Sequence, residues 1–203
     1  MSTAIAQPRD LENGDVMSRE EFHKRYSECE GLERVELSEG VVYMPSPVRL
    51  VQHQRPAKLM LVWLDRYQEL HDGLVEAIHD SSVLMDDQNE PIPDVLLYRI
   101  EPDRLVDGYL VVPPELVVEI SASTVSRDLH QKKRAYERNG VLEYIVWRVL
   151  DEAIDWFQLR DGAYIERQPD ASGIIESEVF PGLRLDVPAM LALDRKRVLS
   201  ALG

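Results

Sequence analysis

The sequence predicts an α/β or α+β fold in which helices flank a mixed β-sheet. Two observations support this prediction. The patterns along the chain run in the order helix, hairpin, helix, several strands, helix and further strands. At 203 residues, of which 44% are hydrophobic, the chain is long enough for one domain with a sizeable core. We therefore expect a single domain over residues 17–203, preceded by a disordered polar segment at residues 1–16.

The first half of the chain is predicted to contain two helices, a hairpin and four strands. Ser18 and Glu21 form a capping box that starts the first helix, and a hairpin is predicted over residues 34–44. Apolar residues at helical spacing predict a second helix that ends near His71, with a kink or restart at Pro56. Strands separated by loops rich in Asp, Asn and Pro are predicted at residues 74–78, 83–85, 94–98 and 115–120.

The second half is predicted to alternate a helix with a β meander. Thr124 or Ser126 caps a helix that runs through Arg138, where Asn139-Gly140 stops it. Alternating apolar residues then predict a meander at residues 143–149, 153–158 and 163–167, a short strand near residues 180–183 and a C-terminal helix over residues 187–202.

Composition excludes several classes of protein. No apolar run approaches the roughly 20 residues that a membrane-spanning helix needs, so no membrane partner is expected. The single cysteine, Cys29, excludes an internal disulfide and a cysteine zinc cluster, and it favours a reducing compartment. We therefore expect a cytoplasmic protein. A net charge of −14 argues against broad nonspecific attraction to nucleic acid, although a bound divalent cation adds positive charge locally.

Two acidic residues interrupt apolar runs that are typical of buried strands. Asp94 lies in Pro93-Asp94-Val95-Leu96-Leu97, and Glu119 lies in Leu116-Val117-Val118-Glu119-Ile120. A carboxylate removed from water is usually paired, hydrogen-bonded or bound to a cation. One interpretation is a strand cap and an Arg ion pair; the other is a pair of hard oxygen ligands for Mg²⁺ or Mn²⁺. Glu36 is a candidate third ligand, or it lies on a solvated strand face.

Basic residues collect in the helix that follows Glu119. From Arg127 to Arg138 there are five Lys or Arg residues and two acidic ones. Asp128, Lys132 and Tyr136 are four residues apart and share a helix face. This face is either solvated, or it brings Lys132 beside the two acids, where an ammonium would offset charge on a phosphorane-like transition state.

These residues together resemble the Uma-two family of putative restriction endonucleases, which is assigned to the PD-(D/E)XK nuclease superfamily. The residues that carry the resemblance are Pro93-Asp94-Val95, residues 113–121, Ser123-Thr124, Asp128, Lys132, Tyr136 and residues 140–144, with weaker matches at residues 36–40, His53-Gln54 and residues 177–183. The superfamily usually has a lysine two places after the motif Glu, and Ser121 occupies that place here.

The resemblance implies a restriction-endonuclease-like core with an additional C-terminal β meander and helix. It implies a metal-dependent endonuclease that hydrolyses phosphodiester bonds of nucleic acid, most simply DNA, with Mg²⁺ or Mn²⁺ held by Asp94 and Glu119 and joined by Glu36. Lys132 is expected to support catalysis in place of the motif lysine. Further residues expected to support the site or bind substrate are His53, Ser121, Tyr136 and Arg127.

Two other functions are compatible with the sequence. Fold does not determine function, and Ser121 and the acidic composition are compatible with a catalytically inactive binding or assembly module. A hydrolase of a small phosphorylated molecule would suit the negative charge, but no substrate motif supports it. The edges of the predicted meander and the C-terminal helix make a twofold homodimer the expected assembly.

Overall fold

In the computed structural model, the described residues are 11–29, 31, 34–44 and 50–202. Residues 1–10 of the predicted disordered segment lie outside this range. Residues 11–16 differ from the prediction, because the Leu11 side chain is buried and Val16 pairs with Val41 through a β-bridge. These contacts attach the segment to the neighbouring hairpin.

The described residues form helices and strands whose bounds are as follows. The helices are α1 Arg19–Glu28, α2 Arg55–Leu70, α3 Lys133–Arg138, α4 Val187–Leu191 and α5 Arg195–Ser200. The strands are β1 Glu36–Ser38, β2 Val41–Tyr43, β3 Val75–His79, β4 Val95–Arg99, β5 Leu105–Val106, β6 Tyr109–Leu110, β7 Leu116–Ser121, β8 Glu143–Arg148, β9 Ala153–Arg160, β10 Ala163–Arg167, β11 Ile174–Glu176 and β12 Arg184–Asp186. Short π-helical turns at Leu50–Gln54 and Arg127–Lys132 lead into α2 and α3.

The main sheet has six strands in the order β10-β9-β8-β7-β4-β3. Strands β7 and β8 are parallel, and the other neighbours are antiparallel. A parallel pair needs a crossover connection, which the second π-helical turn and α3 provide. The predicted mixed sheet flanked by helices is therefore confirmed, and the meander forms three of its strands.

The alternation of side chains along β7 separates the two faces of the sheet. Leu116, Val118 and Ile120 pack in the large core with α2 and the C-terminal helices. Val117 packs in a smaller core with Tyr136 of α3. Because successive strand residues point to opposite faces, Glu119 and Ser121 lie on the same side as Val117, beneath the crossover helix.

The hairpin of β1 and β2 forms a separate two-stranded sheet. Its own small core contains Leu11, Phe22, Val35, Leu37 and Val42. The hairpin attaches to the segment before β4 through two backbone hydrogen bonds, from Leu37 N to Glu90 O (3.1 Å) and from Glu90 N to Leu37 O (2.9 Å). This attachment brings Glu36 toward the edge of the main sheet.

Several predicted elements differ from the observed ones. Residues 83–85 are not a strand, because Val83 makes an isolated β-bridge to Leu110 that does not extend into a ladder of paired residues. The short hairpins β5–β6 and β11–β12 were not predicted, and residues 180–183 lie in the connection between β11 and β12. The C-terminal helix is two helices, since Leu193 takes a left-handed φ of 54° and Asp194 caps α5. Among the described residues, no helix is long and apolar enough to cross a membrane.

Candidate active site

The pairing of β4 with β7 brings the two strand acids together. Val95 pairs with Val118, so continuing the antiparallel register by one residue sets Asp94 opposite Glu119. Asp94 lies just before β4, and its Oδ2 accepts a hydrogen bond from Ile120 N at 2.7 Å. The carboxylate thereby satisfies a ladder N–H where the ladder ends, which fixes its position beside β7.

Glu119 receives two hydrogen bonds from the crossover helix. Lys132 Nζ donates to Glu119 Oε1 at 2.9 Å, and Tyr136 OH donates to the same oxygen at 2.7 Å. All three side chains are buried. Within the described residues, Glu119 Oε2 accepts no hydrogen bond, so this oxygen remains available to a ligand.

Ser121 and Asp128 make a second connection between β7 and the crossover. Ser121 Oγ donates to Asp128 Oδ2 at 2.7 Å, and Thr124 Oγ1 donates to the same oxygen at 2.6 Å. Glu119 and Ser121 lie two residues apart on one face of β7, and Asp128 and Lys132 lie four residues apart in the crossover, so the contacts Ser121–Asp128 and Glu119–Lys132 lie side by side. The place of the motif lysine is therefore occupied by a Ser that positions the helix, and Lys132 approaches Glu119 from one turn further along.

Glu36 accepts hydrogen bonds from three donors, two of them in the second π-helical turn. Its Oε1 accepts Lys132 Nζ at 2.8 Å and Ile92 N at 2.9 Å, and its Oε2 accepts Arg127 Nη2 at 2.7 Å. The Arg127 guanidinium also lies 4.1 Å from the ring centroid of Tyr43, a cation–π geometry. Lys132 lies between Glu36 and Glu119, so Glu36 positions the ammonium from the opposite side.

Asp94 also contacts two cationic or potentially cationic side chains. Arg34 Nη2 lies 2.5 Å from Asp94 Oδ1 and 3.0 Å from Asp80 Oδ1. His53 Nε2 donates to Asp94 Oδ1 at 3.0 Å, while its Nδ1 is buried without a hydrogen-bond partner among the described residues. His53 belongs to the first π-helical turn and Arg127 and Lys132 to the second; π-helical turns are rare and frequent at functional sites.

Burial and crowding of acids shift the ionisation of the site. Loss of solvation raises the pKa of Glu119 to about 8, because the single nearby ammonium of Lys132 is outweighed by burial and by the charges of Asp94, Asp128 and Glu36. Burial also disfavours the ammonium of Lys132, but the surrounding carboxylates hold its pKa above the ordinary value. Lys132 therefore stays a cation at neutral pH.

The pKa values of the other two acids, Glu36 and Asp94, shift in the opposite direction. Glu36 and Asp94 are also desolvated, which favours their neutral forms. Lys132 and Arg127 nevertheless hold the pKa of Glu36 below its usual value, and the hydrogen bond and charge of His53 do the same for Asp94. The site thus keeps two carboxylates ionised and one neutral at pH 7.

A cleft of about 500 Å³ opens beside Asp94. Its walls come from the first π-helical turn, the first turns of α2 and the end of β3. The lining residues are Leu50, His53, Gln54, Arg55, Ala57, Lys58, Leu61, His79, Asp80 and Asp94. Arg55 and Lys58 are exposed, so this edge offers positive charge in an acidic protein.

The carboxylates of this site are ligand types that suit a divalent cation, but in the structure they are engaged in ion pairs and hydrogen bonds. Among the described residues, no group of three or more His, Cys, Asp or Glu side chains is arranged to hold a metal ion. The predicted ligand set of Asp94, Glu119 and Glu36 is therefore not assembled, because Lys132 separates Glu36 from Glu119. Asp94 and Glu119 remain suitable hard oxygen donors for such an ion.

The model of one protein family, Uma2, described as "Putative restriction endonuclease", matches residues 19–188. The match covers most of the chain and includes all of the residues named in this candidate site. The chain belongs to the Uma2 family. The resemblance deduced from the sequence is thereby confirmed.

One solved structure shares the fold of this Uma2 chain. The crystal structure of a putative nuclease belonging to DUF820 from Anabaena variabilis is similar, with a TM-score of 0.68 and 12% sequence identity over 87% of this chain and 98% of the other. The type IIG restriction endonuclease BpuSI matches with a TM-score of 0.38 and 15% identity, over 72% of this chain and 16% of its own. The first of these shows a shared fold. Curated proteins yielded no match.

Two residues of this site carry no recognisable sequence pattern. Arg34 and Asp80 were not predicted, because both lie in irregular segments where no periodicity or motif marks a residue. Both have left-handed backbone, with φ of 59° for Arg34 and 50° for Asp80. Such conformations are uncommon for these residue types and concentrate at functional sites, but φ cannot be deduced from the sequence.

Proposed function

We propose that this Uma2 protein is an endonuclease that hydrolyses phosphodiester bonds of DNA with a divalent cation, Mg²⁺ or Mn²⁺, held by Asp94 and Glu119. The observation that carries the proposal is the buried Glu119, which faces Asp94 across the strand register and is contacted on one oxygen by Lys132 and Tyr136. An enclosed carboxylate with a raised pKa and an adjacent ammonium is typical of an active site. Family membership supports the same reaction.

Each residue of the centre has a role in this proposal. A divalent cation held by Asp94 and Glu119 would activate water and neutralise charge on the phosphate. Lys132 stays protonated, so it stabilises negative charge on the phosphate and does not act as a general base. Glu36 orients Lys132 and Arg127, which favours a positioning role over the predicted role as a metal ligand.

The remaining side chains position the centre or contact substrate. Tyr136 and Lys132 hold Glu119 Oε1, which directs Oε2 toward the ligand. Ser121 positions the crossover helix through its hydrogen bond to Asp128, and it is not assigned a contact with Asp94 or Glu119. The cleft residues Arg55 and Lys58 are the proposed contacts for the DNA backbone, since phosphate neutralisation supplies most of the affinity for nucleic acid.

Cleavage of supercoiled plasmid DNA in Mg²⁺ or Mn²⁺ tests the proposal. Asp94→Asn and Glu119→Gln should each reduce the rate on the order of a hundredfold or more, while retaining the fold by circular dichroism. Glu176→Gln is a matched control, because Glu176 is exposed in β11 and pairs with Arg184 away from the site. Absence of cleavage by the wild type with any divalent cation, or full activity of the two site variants, would refute the proposal.

A catalytically inactive nuclease-fold module is the second candidate, and one observation favours it. Asp94 is already held by Arg34 and His53, so the acid has partners without a metal. The discriminating measurement is binding of a DNA duplex in EDTA. A binding module should bind DNA equally well with and without a divalent cation, whereas the proposed enzyme should require the cation.

Four further predictions belong to the proposal. They are Mg²⁺ as the physiological ion, one domain over residues 17–203, a homodimer and a cytoplasmic location. Size-exclusion chromatography with light scattering tests the dimer directly, because a 23.3 kDa chain would double its mass.

A further inference from the structure

Arg34 joins two carboxylates at the wall of the cleft. One nitrogen, Nη2, lies 2.5 Å from Asp94 Oδ1 and 3.0 Å from Asp80 Oδ1. Both carboxylates line the cleft, and the Arg34 side chain retains 23% of its exposure. The guanidinium therefore shares Asp94 Oδ1 with His53 Nε2, which lies 3.0 Å from that oxygen, while Ile120 N contacts Oδ2.

The contacts of Arg34 are easier to exchange than those of Lys132. Lys132 is buried between Glu36 and Glu119, and its removal would take the ammonium from Glu119 and leave Glu36 with Arg127. Arg34 is half-buried, and its partner Asp80 is 38% exposed. The Arg34–Asp80 pair is partly solvated and therefore weak, whereas Asp94 is buried, with 6% of its side chain exposed. Asp94 should therefore release Arg34 only when another cation takes its place, because an unpaired buried carboxylate is costly.

We propose that Arg34 is a phosphate-contacting residue that is held on Asp94 until a divalent cation binds. The cation takes the place of the guanidinium on Asp94 Oδ1, and the released guanidinium then binds a phosphate of the nucleic acid in the cleft. Arginine suits both partners, because its planar fork matches carboxylate and phosphate geometry. This inference rests on the proposed function, since it requires a metal at Asp94.

The exchange predicts effects of opposite sign for one substitution. Arg34→Met removes a competitor of the metal, so Mn²⁺ should bind on the order of tenfold more tightly in the absence of DNA. The same substitution removes a phosphate contact, so a DNA duplex should bind on the order of tenfold more weakly in Ca²⁺, which is used to observe binding without cleavage. A purely structural role for Arg34 would weaken both.

Calorimetric titration with Mn²⁺ and fluorescence anisotropy with a labelled duplex measure the two effects. Arg66→Met is the matched control, because it removes the same charge from an exposed pair with Glu69 on α2. Arg34→Gln repeats the test with a polar side chain if the Met variant is poorly folded. Asp94→Asn identifies the metal site, since it should abolish the Mn²⁺ binding.

The outcomes separate this inference from the proposed function. Tighter Mn²⁺ binding together with weaker DNA binding by Arg34→Met supports the exchange. Unchanged or weaker Mn²⁺ binding by Arg34→Met overturns the exchange, and so does unchanged DNA binding. In either case the metal site at Asp94 is still supported if Asp94→Asn loses Mn²⁺ binding. If neither the wild type nor Arg34→Met binds Mn²⁺, the metal-dependent function and the exchange both fail.

Discussion

The ionisation of Glu119 gives a sharp test of the electrostatics at the centre of the site. Glu119 is buried among Asp94, Asp128 and Glu36, and its pKa is raised to about 8 from an ordinary 4.5. In the unfolded chain the same carboxyl ionises near its ordinary value. The stabilising effect of the neutral carboxyl is therefore fully present below about pH 4.5 and is lost as the pH rises through about 8.

Glu119→Gln mimics the neutral form and removes this pH dependence. Each pH unit between the two pKa values costs the folded wild type about 1.4 kcal/mol. Between pH 5 and pH 8 the wild type should therefore lose about 3–4 kcal/mol of unfolding free energy relative to Glu119→Gln, since Glu119 is half ionised in the folded protein at pH 8. The amide oxygen can still accept the hydrogen bonds from Lys132 and Tyr136.

Urea unfolding in EDTA at several pH values measures the difference. Comparing the two proteins at each pH cancels the titration of the acids that they share. Parallel curves for wild type and Glu119→Gln would show that Glu119 ionises normally at neutral pH, and the argument from burial and crowding would be refuted.

Three further substitutions test the fold around the site, each by urea unfolding at pH 7. Lys132→Met should cost about 3–5 kcal/mol, because it leaves buried carboxylates without their ammonium, and a loss below about 1 kcal/mol would contradict that ion-pair network. Trp63→Ala should cost about 3–5 kcal/mol, since the side chain is fully buried in the large core; a wild-type midpoint would contradict tight packing there. Gly173→Ala should destabilise more than Gly162→Ala, because both have φ above 80° but only at Gly173 would a Cβ meet Pro188, at 2.9 Å; equal losses would mean that strain alone decides.

Much of the fold could be predicted because local patterns and tertiary packing agree. The apolar runs of β4 and β7 specify buried strands, and Ser18 caps α1 by accepting a hydrogen bond from Glu21 N. Residues 83–85 have the composition of a strand, but a strand requires a partner, and the sequence does not indicate which segments pair. The same limit applies to the short hairpin β5–β6, whose strands have two residues each.

The site was partly predictable for a similar reason. Asp94 and Glu119 were identifiable because an acid in an apolar run is unfavourable unless it has a partner. The helical spacing of Asp128, Lys132 and Tyr136 also placed them on one face, and they contact Ser121 or Glu119. The ion pair of Arg34 with Asp94 spans 60 positions and depends on the backbone of an irregular loop, which no local pattern encodes.

The separate hairpin of β1 and β2 affects the order in which the centre is built during folding. Glu119 and Lys132 are 13 positions apart on a strand and the crossover that follows it, so their contact closes a short loop. Glu36 and Lys132 are 96 positions apart, and closing a longer loop costs more chain entropy. Folding should therefore form the Glu119–Lys132 contact first. Docking of the hairpin then adds Glu36 as a second carboxylate partner of the Lys132 ammonium.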